Sequence, residues 1–429
     1  MASKYTKLVP EEHVLRRPDV YIGSTVERAM EDYVVVDGNY KIAKRQFTAS
    51  PGILRIFTEP MANVVDNFAR SRQKGIKATK VVITVDPESG ETSIWNDGDY
   101  IPVEIHPEQK CYVHSFIFGQ LFSSSNYNDD EDRIDISGKN GIGVKATCIF
   151  SKKFTVEGVD PVNGKHFTQT WTNNLKSTTG PKVTASKAKT GYTKITYIPD
   201  FAQFGIEGYT EDIMAIYKKY AVDMAMITRL SVLFNGQEIP VKSLLDYAKL
   251  YSTRETDEYL QIKTDVCEVV VTPSNEFEPI SFVNGLYTPL GGVHVDAWTE
   301  ALFRPIVEKL NKPKRPQVNI GDVKRYFKVF VVATVNRPTF DSQSKQRLES
   351  PAVEASVKLT HLRTIQRWPV MELLEEMIRF KELSVLKKVE KKKRQYIEGL
   401  SPANNQGGKL GRECILAIVE GESARTYVL

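Results

Sequence analysis

Cysteine is scarce in this chain: four in 429 residues, at positions 111, 148, 267 and 414, with no Cys-x-x-Cys pair. That scatter argues against a disulfide framework or a paired-cysteine zinc site and fits a reducing compartment. The six histidines form no metal-spaced pair either. No run approaches the roughly 18 apolar residues of a membrane span, and the opening MASKYTKLVPEEH lacks the apolar centre of a secretory signal. Neither sign of charge dominates, since 58 Lys and Arg against 53 Asp and Glu leave +5. Such a balance permits a nucleic-acid partner without arguing for one. What is present, 41% hydrophobic and 26% charged residues with a mean hydropathy of −0.32, is the composition of a soluble globular protein with several cores. It excludes disordered, collagenous and coiled-coil classes, and the length suggests about three domains.

Turn-rich sequence occupies residues 1–50. KVVITVD (80–86) and TSIWND (92–97) read as strands about a Pro-Glu-Ser-Gly turn. A helix is expected over residues 210–230, capped by Thr210 with Glu211 and Asp212 in its first turn, followed by a hairpin about Asn235-Gly236. A second domain is expected to begin near residue 266, with VCEVVVTP and YFKVFVVATVN as strands. Helical pattern dominates 346–395, ending in the basic run KKVEKKKR, and SPANNQGGKLG (401–411) reads as a linker. The apolar ECILAIVEGES then reads as a strand that starts close to Leu429, as though the chain were part of something longer.

The segment LRIFTEPMANVVDNFAR (54–70) carries the strongest chemical signal. On a helix, Glu59, Asn63, Asp66 and Asn67 fall within roughly 100° of arc, opposite Phe57, Met61, Val64, Val65 and Phe68. A solvated surface face has equal claim, but such faces favour Lys and Glu over short carboxamides and carboxylates. These are oxygen donors suited to Mg²⁺ and to activating a water. Pro60 is poorly tolerated inside a helix, so the helix is expected to begin near Thr58 or to kink there. In WNDGDYIPV (95–103), Asn96 at a strand end offers both a donor and an acceptor for a purine edge, or simply begins a turn. In SGKNGIGVKATCIF (137–150), Gly138, Gly141 and Gly143 precede an apolar stretch, a pattern open to phosphate contact or to plain loop flexibility. No GxxxxGK[ST] occurs, so this is not a Walker A loop. The polar FSSSNYNDDED (122–132) could line a sugar and phosphates or be a solvated loop.

In this order, the Glu-x-x-x-Asn helix, the strand-end Asn-x-Gly and the glycine-rich loop resemble the Bergerat-type ATP-binding superfamily. YTKLVPEEHVLRRPDVYIGS (5–24), IFGQLFSSSNYNDD (117–130), GKNGIGVK (138–145), GYTKITYIPD (191–200), SFVNGLYTPLGGVHVD (281–296), PTFDSQSKQRL (338–348) and CILAIVEGESA (414–424) are similar to segments of eukaryotic-type DNA topoisomerase II. They occur in the family's order over essentially the whole chain. The resemblance implies an α+β protein: a GHKL ATPase domain (51–262) after an N-terminal arm (1–50), a ribosomal-protein-S5-like transducer (263–400), and a linker with the first strand of a TOPRIM domain (401–429).

Roles for matched positions follow from the same resemblance. Glu59 would be the general base of ATP hydrolysis and Asn63 the Mg²⁺ ligand, with Asn67 beside them. Asn96 would contact adenine with Thr193 nearby, and Ser124, Ser125 and Asn126 the ribose and phosphates. Gly138, Lys139, Asn140, Gly141, Ile142, Gly143, Val144 and Lys145 would form the phosphate-binding lid. Gln343, Ser344 and Lys345 would be the transducer's γ-phosphate sensor, and Glu420 a metal-binding acid of the longer enzyme. Separately, the basic cluster Lys309, Lys312, Lys314 and Arg315 in EKLNKPKRPQ reads equally as a solvated loop or as a contact with DNA phosphates. The implied partners are double-stranded DNA and a second copy of the chain, with no membrane. The location would be the nucleus for a cellular source, or a virus factory or virion for a large DNA virus. Four positions depart from the family pattern: Tyr100 in place of the motif's second glycine, Pro60 in place of an aliphatic residue, QSK in place of QTK, and EGES in place of EGDS. The rival readings are an ATP-clamp chaperone of the same superfamily and an idle nucleic-acid-binding module.

Overall fold

The computed structural model describes residues 8–121, 123, 141–252, 258–313, 315–342, 345–392, 400–420 and 424. Two short helices, α1 (Pro10–Arg16) and α2 (Pro18–Tyr21), each open on a proline, whose missing amide costs nothing at that position. A hairpin of β1 (Arg28–Val35) and β2 (Ile42–Ala49) follows, inside a stretch whose sequence showed only turns. Next come α3 (Pro51–Gln73), β3 (Lys80–Val85), β4 (Thr92–Asp97), α4 (Val113–Gly119), α5 (Gly143–Ile149), β5 (Ser151–Asp160), β6 (Lys165–Thr172), β7 (Ser177–Thr178), β8 (Lys182–Ala185), β9 (Tyr192–Pro199), α6 (Glu211–Thr228), β10 (Ser231–Phe234), β11 (Gln237–Glu238) and α7 (Leu244–Leu250). The remainder is β12 (Leu260–Lys263), β13 (Cys267–Pro273), β14 (Pro279–Val283), β15 (Leu286–Tyr287), α8 (Val293–Leu310), α9 (Ile320–Lys324), β16 (Phe327–Ala333), β17 (Thr339–Phe340), β18 (Leu348–Ser350), α10 (Leu359–Ile365) and α11 (Val370–Lys392).

Strands β3 to β11 form one sheet in the order β11-β10-β3-β4-β9-β5-β6-β7, with β8 also paired to β6. Helices α3, α5 and α6 pack together beside it, burying Phe57, Tyr217 and Phe150. Phe57 and Tyr217 stack with ring centroids 3.8 Å apart. As expected, Thr210 caps α6, its hydroxyl accepting from the Ile213 amide at 3.2 Å, and Asn235-Gly236 turns the β10–β11 hairpin. A second sheet, in the order β12-β13-β16-β14-β15, contains the two strands expected after residue 266.

One compact unit comprises Met1–Lys312 with Gln317–Leu374, so both sheets belong to it; the other comprises Pro313–Pro316 with Glu375–Leu429. Within the first unit, Lys328 Nζ donates to the Tyr33 hydroxyl at 2.8 Å, which itself bonds the Glu278 carboxylate. The β1–β2 hairpin is thereby tied to the second sheet. The β14–β15 turn is a left-handed pair, Asn284 at φ 48° and Gly285 at φ 75°, as a two-residue hairpin favours. The Asn284 side chain locks it, donating to the Val335 carbonyl and accepting from the Val335 amide, both at 2.8 Å. This turn rests on α3, for a methyl group on Gly285 would lie 2.6 Å from Val65 Cγ1. Beside the contact is a cavity of about 90 Å³, lined in part by Val65, Phe68, Ala69, Arg72 and Ile227.

Three sequence expectations are corrected. Helix α3 does not begin near Thr58 but runs from Pro51, capped by Ser50, and continues past Pro60. Proline has no amide hydrogen for the carbonyl four residues back, and that carbonyl, on Ile56, instead accepts from Thr147 Oγ1 of α5 at 2.9 Å. Helical structure after residue 346 starts only at Leu359, because Leu348–Ser350 pairs with Thr339–Phe340 as a hairpin. Residues 414–419 form no strand: Ile415 and Ile418 are 90% and 87% exposed. A strand is held by hydrogen bonds to a neighbouring strand, and none of the described residues supplies one here.

Candidate nucleotide site

The polar face of α3 is not a solvated surface. Asp66 and Asn67 are 2% and 9% exposed, and Glu59 and Asn63 are half-buried. Glu59 Oε1 receives Nε of Arg55, one turn earlier, at 2.5 Å. Arg55 thus orients the carboxylate along the helix, a role that a stem of i,i+4 spacing makes legible only once the helix is known to extend back past Thr58. Its other oxygen meets the first residue of α5: a methyl group on Gly143 would stand 1.8 Å from Glu59 Oε2. Glycine is what permits this approach, and the third glycine of the motif is therefore a steric requirement rather than a flexible joint. Asn63 makes no hydrogen bond among the described residues, so its carboxamide oxygen is available to a ligand.

Asn67 is spent on structure. Its Nδ2 donates to the Asp99 carbonyl at 2.7 Å, and Ser71 Oγ accepts from the Asp99 amide at 2.8 Å. Together they clamp the loop after β4, where Gly98 takes φ 116° and a methyl group would collide with Ser71 Oγ at 2.6 Å. The side chain of Asp99 adds an ion pair to Lys74 at 2.8 Å. Asp97 closes the other side, accepting from the amides of Thr79 at 2.8 Å and Lys80 at 2.9 Å. Asp97 and Asp99 were not singled out from the sequence; an Asn-Asp-Gly-Asp run signals a turn but not which carboxylate anchors it. Asn96, 6% exposed, lies directly opposite Thr193 in the β4–β9 register, so the two predicted adenine contacts share one face.

Lys145 does not reach into solvent. It is 2% exposed, and its Nζ donates to the Gly141 carbonyl at 2.7 Å and to the Ser123 carbonyl. Two carbonyls satisfy hydrogen bonds but not the charge, and burial lowers the ammonium from its ordinary range to about 8. Ile142 caps α5 without a side-chain hydrogen bond, and Val144 is buried against the core. Lys345 lies in the loop of the β17–β18 hairpin, in left-handed backbone at φ 56°, its amide donating to the Ser342 carbonyl at 3.0 Å. The loop is closed by Asp341 and Arg347, which exchange bonds at 3.1 Å in both directions.

Ser124, Ser125, Asn126, Gly138, Lys139, Asn140, Lys314, Gln343 and Ser344 lie outside the described residues. Glu420 is exposed at the end of the unpaired segment. Among the basic candidates Lys312 is exposed, while Arg315 pairs with Glu375 at 3.0 Å and Glu382 at 3.5 Å inside the smaller unit. No group of three or more His, Cys, Asp or Glu is placed to hold a metal among the described residues, and no described helix is long and apolar enough to cross a membrane.

A family profile described as DNA gyrase B matches residues 231–394. DNA topoisomerase 2 of Invertebrate iridescent virus 6 is 38% identical over 99% of this chain, which spans 40% of that relative's length. The ATPase region of Saccharomyces cerevisiae topoisomerase II superposes with a TM-score of 0.80 at 30% identity, covering 88% of this chain and 99% of that one. The ATPase and transducer domains of DNA topoisomerase II from Balamuthia mandrillaris give a TM-score of 0.81 at 31% identity, covering 89% and 98%.

Proposed function

The chain belongs to the DNA topoisomerase II family, matching its ATPase and transducer region, and on that premise we propose that it binds and hydrolyses ATP to close and reset a homodimeric gate on double-stranded DNA. The observation that carries the reading is the approach of Gly143 to Glu59. It sets a half-buried carboxylate against the glycine-rich end of α5, where a terminal phosphate and its attacking water would meet.

Each residue then has a task. Glu59, held by Arg55, accepts the proton of the attacking water. Asn96 and Thr193 face the adenine, with Asn67, Asp97 and Asp99 holding the strand-end loop behind them. Gly138 to Lys145, with Ser124, Ser125 and Asn126, enclose the sugar and phosphates. The buried Lys145 ammonium, whose hydrogen-bond partners among the described residues are carbonyls, gains its counter-charge from a phosphate. Asn63, with no partner among the described residues, is suited to hold Mg²⁺, which when bound neutralises phosphate charge. Gln343, Ser344 and Lys345 sense the terminal phosphate, so that ATP and ADP are told apart by the second sheet.

The division into an arm (1–50), ATPase (51–262), transducer (263–400) and the start of a TOPRIM domain (401–429), with Glu420 as its acid, belongs to this reading. So do DNA contacts by Lys312 and Lys314; Arg315, already paired with two acids, contributes less. The relatives are eukaryotic and viral, and the nucleus or a virus factory is the matching location.

One measurement tests the whole reading. Light scattering and ATP turnover of the purified chain are followed with and without duplex DNA and a non-hydrolysable ATP analogue. Analogue-driven dimers and DNA-stimulated turnover are expected. A chain that stays monomeric at micromolar concentration with the analogue bound, and that hydrolyses no ATP, would overturn it.

A further inference from the structure

The hydrogen bond from Thr147 to Ile56 joins two facts that the proposed function leaves separate. Pro60 stands next to Glu59 in α3 and removes the amide that would have engaged the Ile56 carbonyl. Thr147, fully buried on α5, supplies the missing donor at 2.9 Å. Thr147 and Gly143 are four residues apart on α5 and so lie on one face of it. One of them is fastened to α3 on the turn below Glu59, and the other touches the Glu59 carboxylate itself. A second bond steadies the anchor, as Ser151 Oγ donates to the Thr147 carbonyl at 2.6 Å.

We propose that Thr147 is a positioning residue for Glu59: its hydroxyl, seated on the carbonyl that Pro60 leaves vacant, sets the register of α5 on α3 and thereby the distance between Gly143 and the carboxylate. The chain's own departure from an aliphatic residue at position 60 creates the vacancy, so the two residues act as a pair. In an ordinary helix the Ile56 carbonyl would be engaged by the amide at position 60, and a hydroxyl from α5 would have nothing to hold. Here the backbone defect is a socket. Because a reacting group misplaced by about 1 Å can cost a hundred-fold in rate, the anchor acts on the chemical step and leaves nucleotide affinity nearly unchanged.

The inference rests on Glu59 being the general base, and the experiment separates the two. Five variants of the 429-residue chain are compared: Glu59→Gln, Thr147→Val, Thr147→Ser, Pro60→Val, and Pro60→Val with Thr147→Val. Turnover, ATP-analogue affinity and melting temperature are measured for each. Thr147→Val is expected to lower kcat about ten- to hundred-fold with analogue Kd within about two-fold of the parent. Thr147→Ser keeps the hydroxyl and recovers most of the rate. In the Pro60→Val background the restored amide takes the Ile56 carbonyl, and adding Thr147→Val costs no further rate. The inference is overturned if Thr147→Val turns over normally, if affinity falls as far as kcat, or if Pro60→Val fails to rescue it. Wild-type turnover by Glu59→Gln would instead bring down the assignment of the base.

Discussion

Gly143 and Glu59 meet so closely that position 143 cannot carry a side chain while the carboxylate stays where Arg55 holds it. Gly143→Ala would drive the Glu59 side chain off its present rotamer, since the obstructing atoms are the flexible end of a glutamate rather than backbone. Turnover is expected to fall about ten- to hundred-fold, as for a displaced catalytic group, with the melting temperature little changed. Steady-state kinetics beside a thermal melt checks this; normal turnover would mean that the carboxylate works from another position.

Glu59→Gln would remove the proposed base and keep the shape. Hydrolysis is expected to drop about 10²- to 10⁴-fold, the usual contribution of a positioned base, while binding of a non-hydrolysable analogue persists. Single-turnover assays paired with titration calorimetry distinguish the two effects, and unchanged turnover would remove Glu59 from the mechanism.

Lys145 is expected to make nucleotide binding pH-dependent. Burial holds its ammonium at about 8, below the ordinary 10.5, and a phosphate placed beside it favours the charged form. Nucleotide binding is therefore expected to take up a proton near pH 8, and affinity to fall as pH rises through that value. In the free protein the sign is opposite. The unfolded chain holds more protons between about 8 and 10.5, so stability rises with pH across that window. Calorimetry at pH 8 in two buffers of different ionisation enthalpy reads the uptake; identical heats would separate Lys145 from the phosphates.

Lys345→Ala should weaken the ATP analogue and spare ADP. The loss of one charged hydrogen bond costs about 1.5–3 kcal/mol, or roughly ten- to hundred-fold at about 1.4 kcal/mol per decade. Titrating both nucleotides against both proteins decides it. Equal losses would mean that Lys345 merely supports the hairpin loop.

Much of the candidate site could be read from residues alone because its parts are local. The polar arc of α3 and the glycine run depend on spacing within one segment, whereas the Asn96–Thr193 pairing, between two distant strands, was implied only by the family resemblance. The misreadings share a different cause. Pro60 looked like a helix boundary because its remedy, the Thr147 hydroxyl, comes from 91 positions beyond the Ile56 carbonyl it serves. For Lys145, nothing in GIGVK shows that its ammonium folds back on Gly141 and Ser123. Asp97 and Asp99 passed as turn residues because their partners, Thr79, Lys80 and Lys74, belong to other segments. The apolar ECILAIVEGES looked like a strand because its composition suits one, yet strandedness depends on a neighbour that composition does not encode.

The Asn284-Gly285 turn presses on Val65, six residues beyond Glu59 and so about 9 Å along the axis of α3 at 1.5 Å per residue. Its backbone is fixed by the Val335 bonds, and on one flank the contact borders a hollow of about 90 Å³. A shift of this turn toward α3 would therefore meet the Val65 side chain directly, on the same helix that carries Glu59, while the hollow beside it leaves room on one flank.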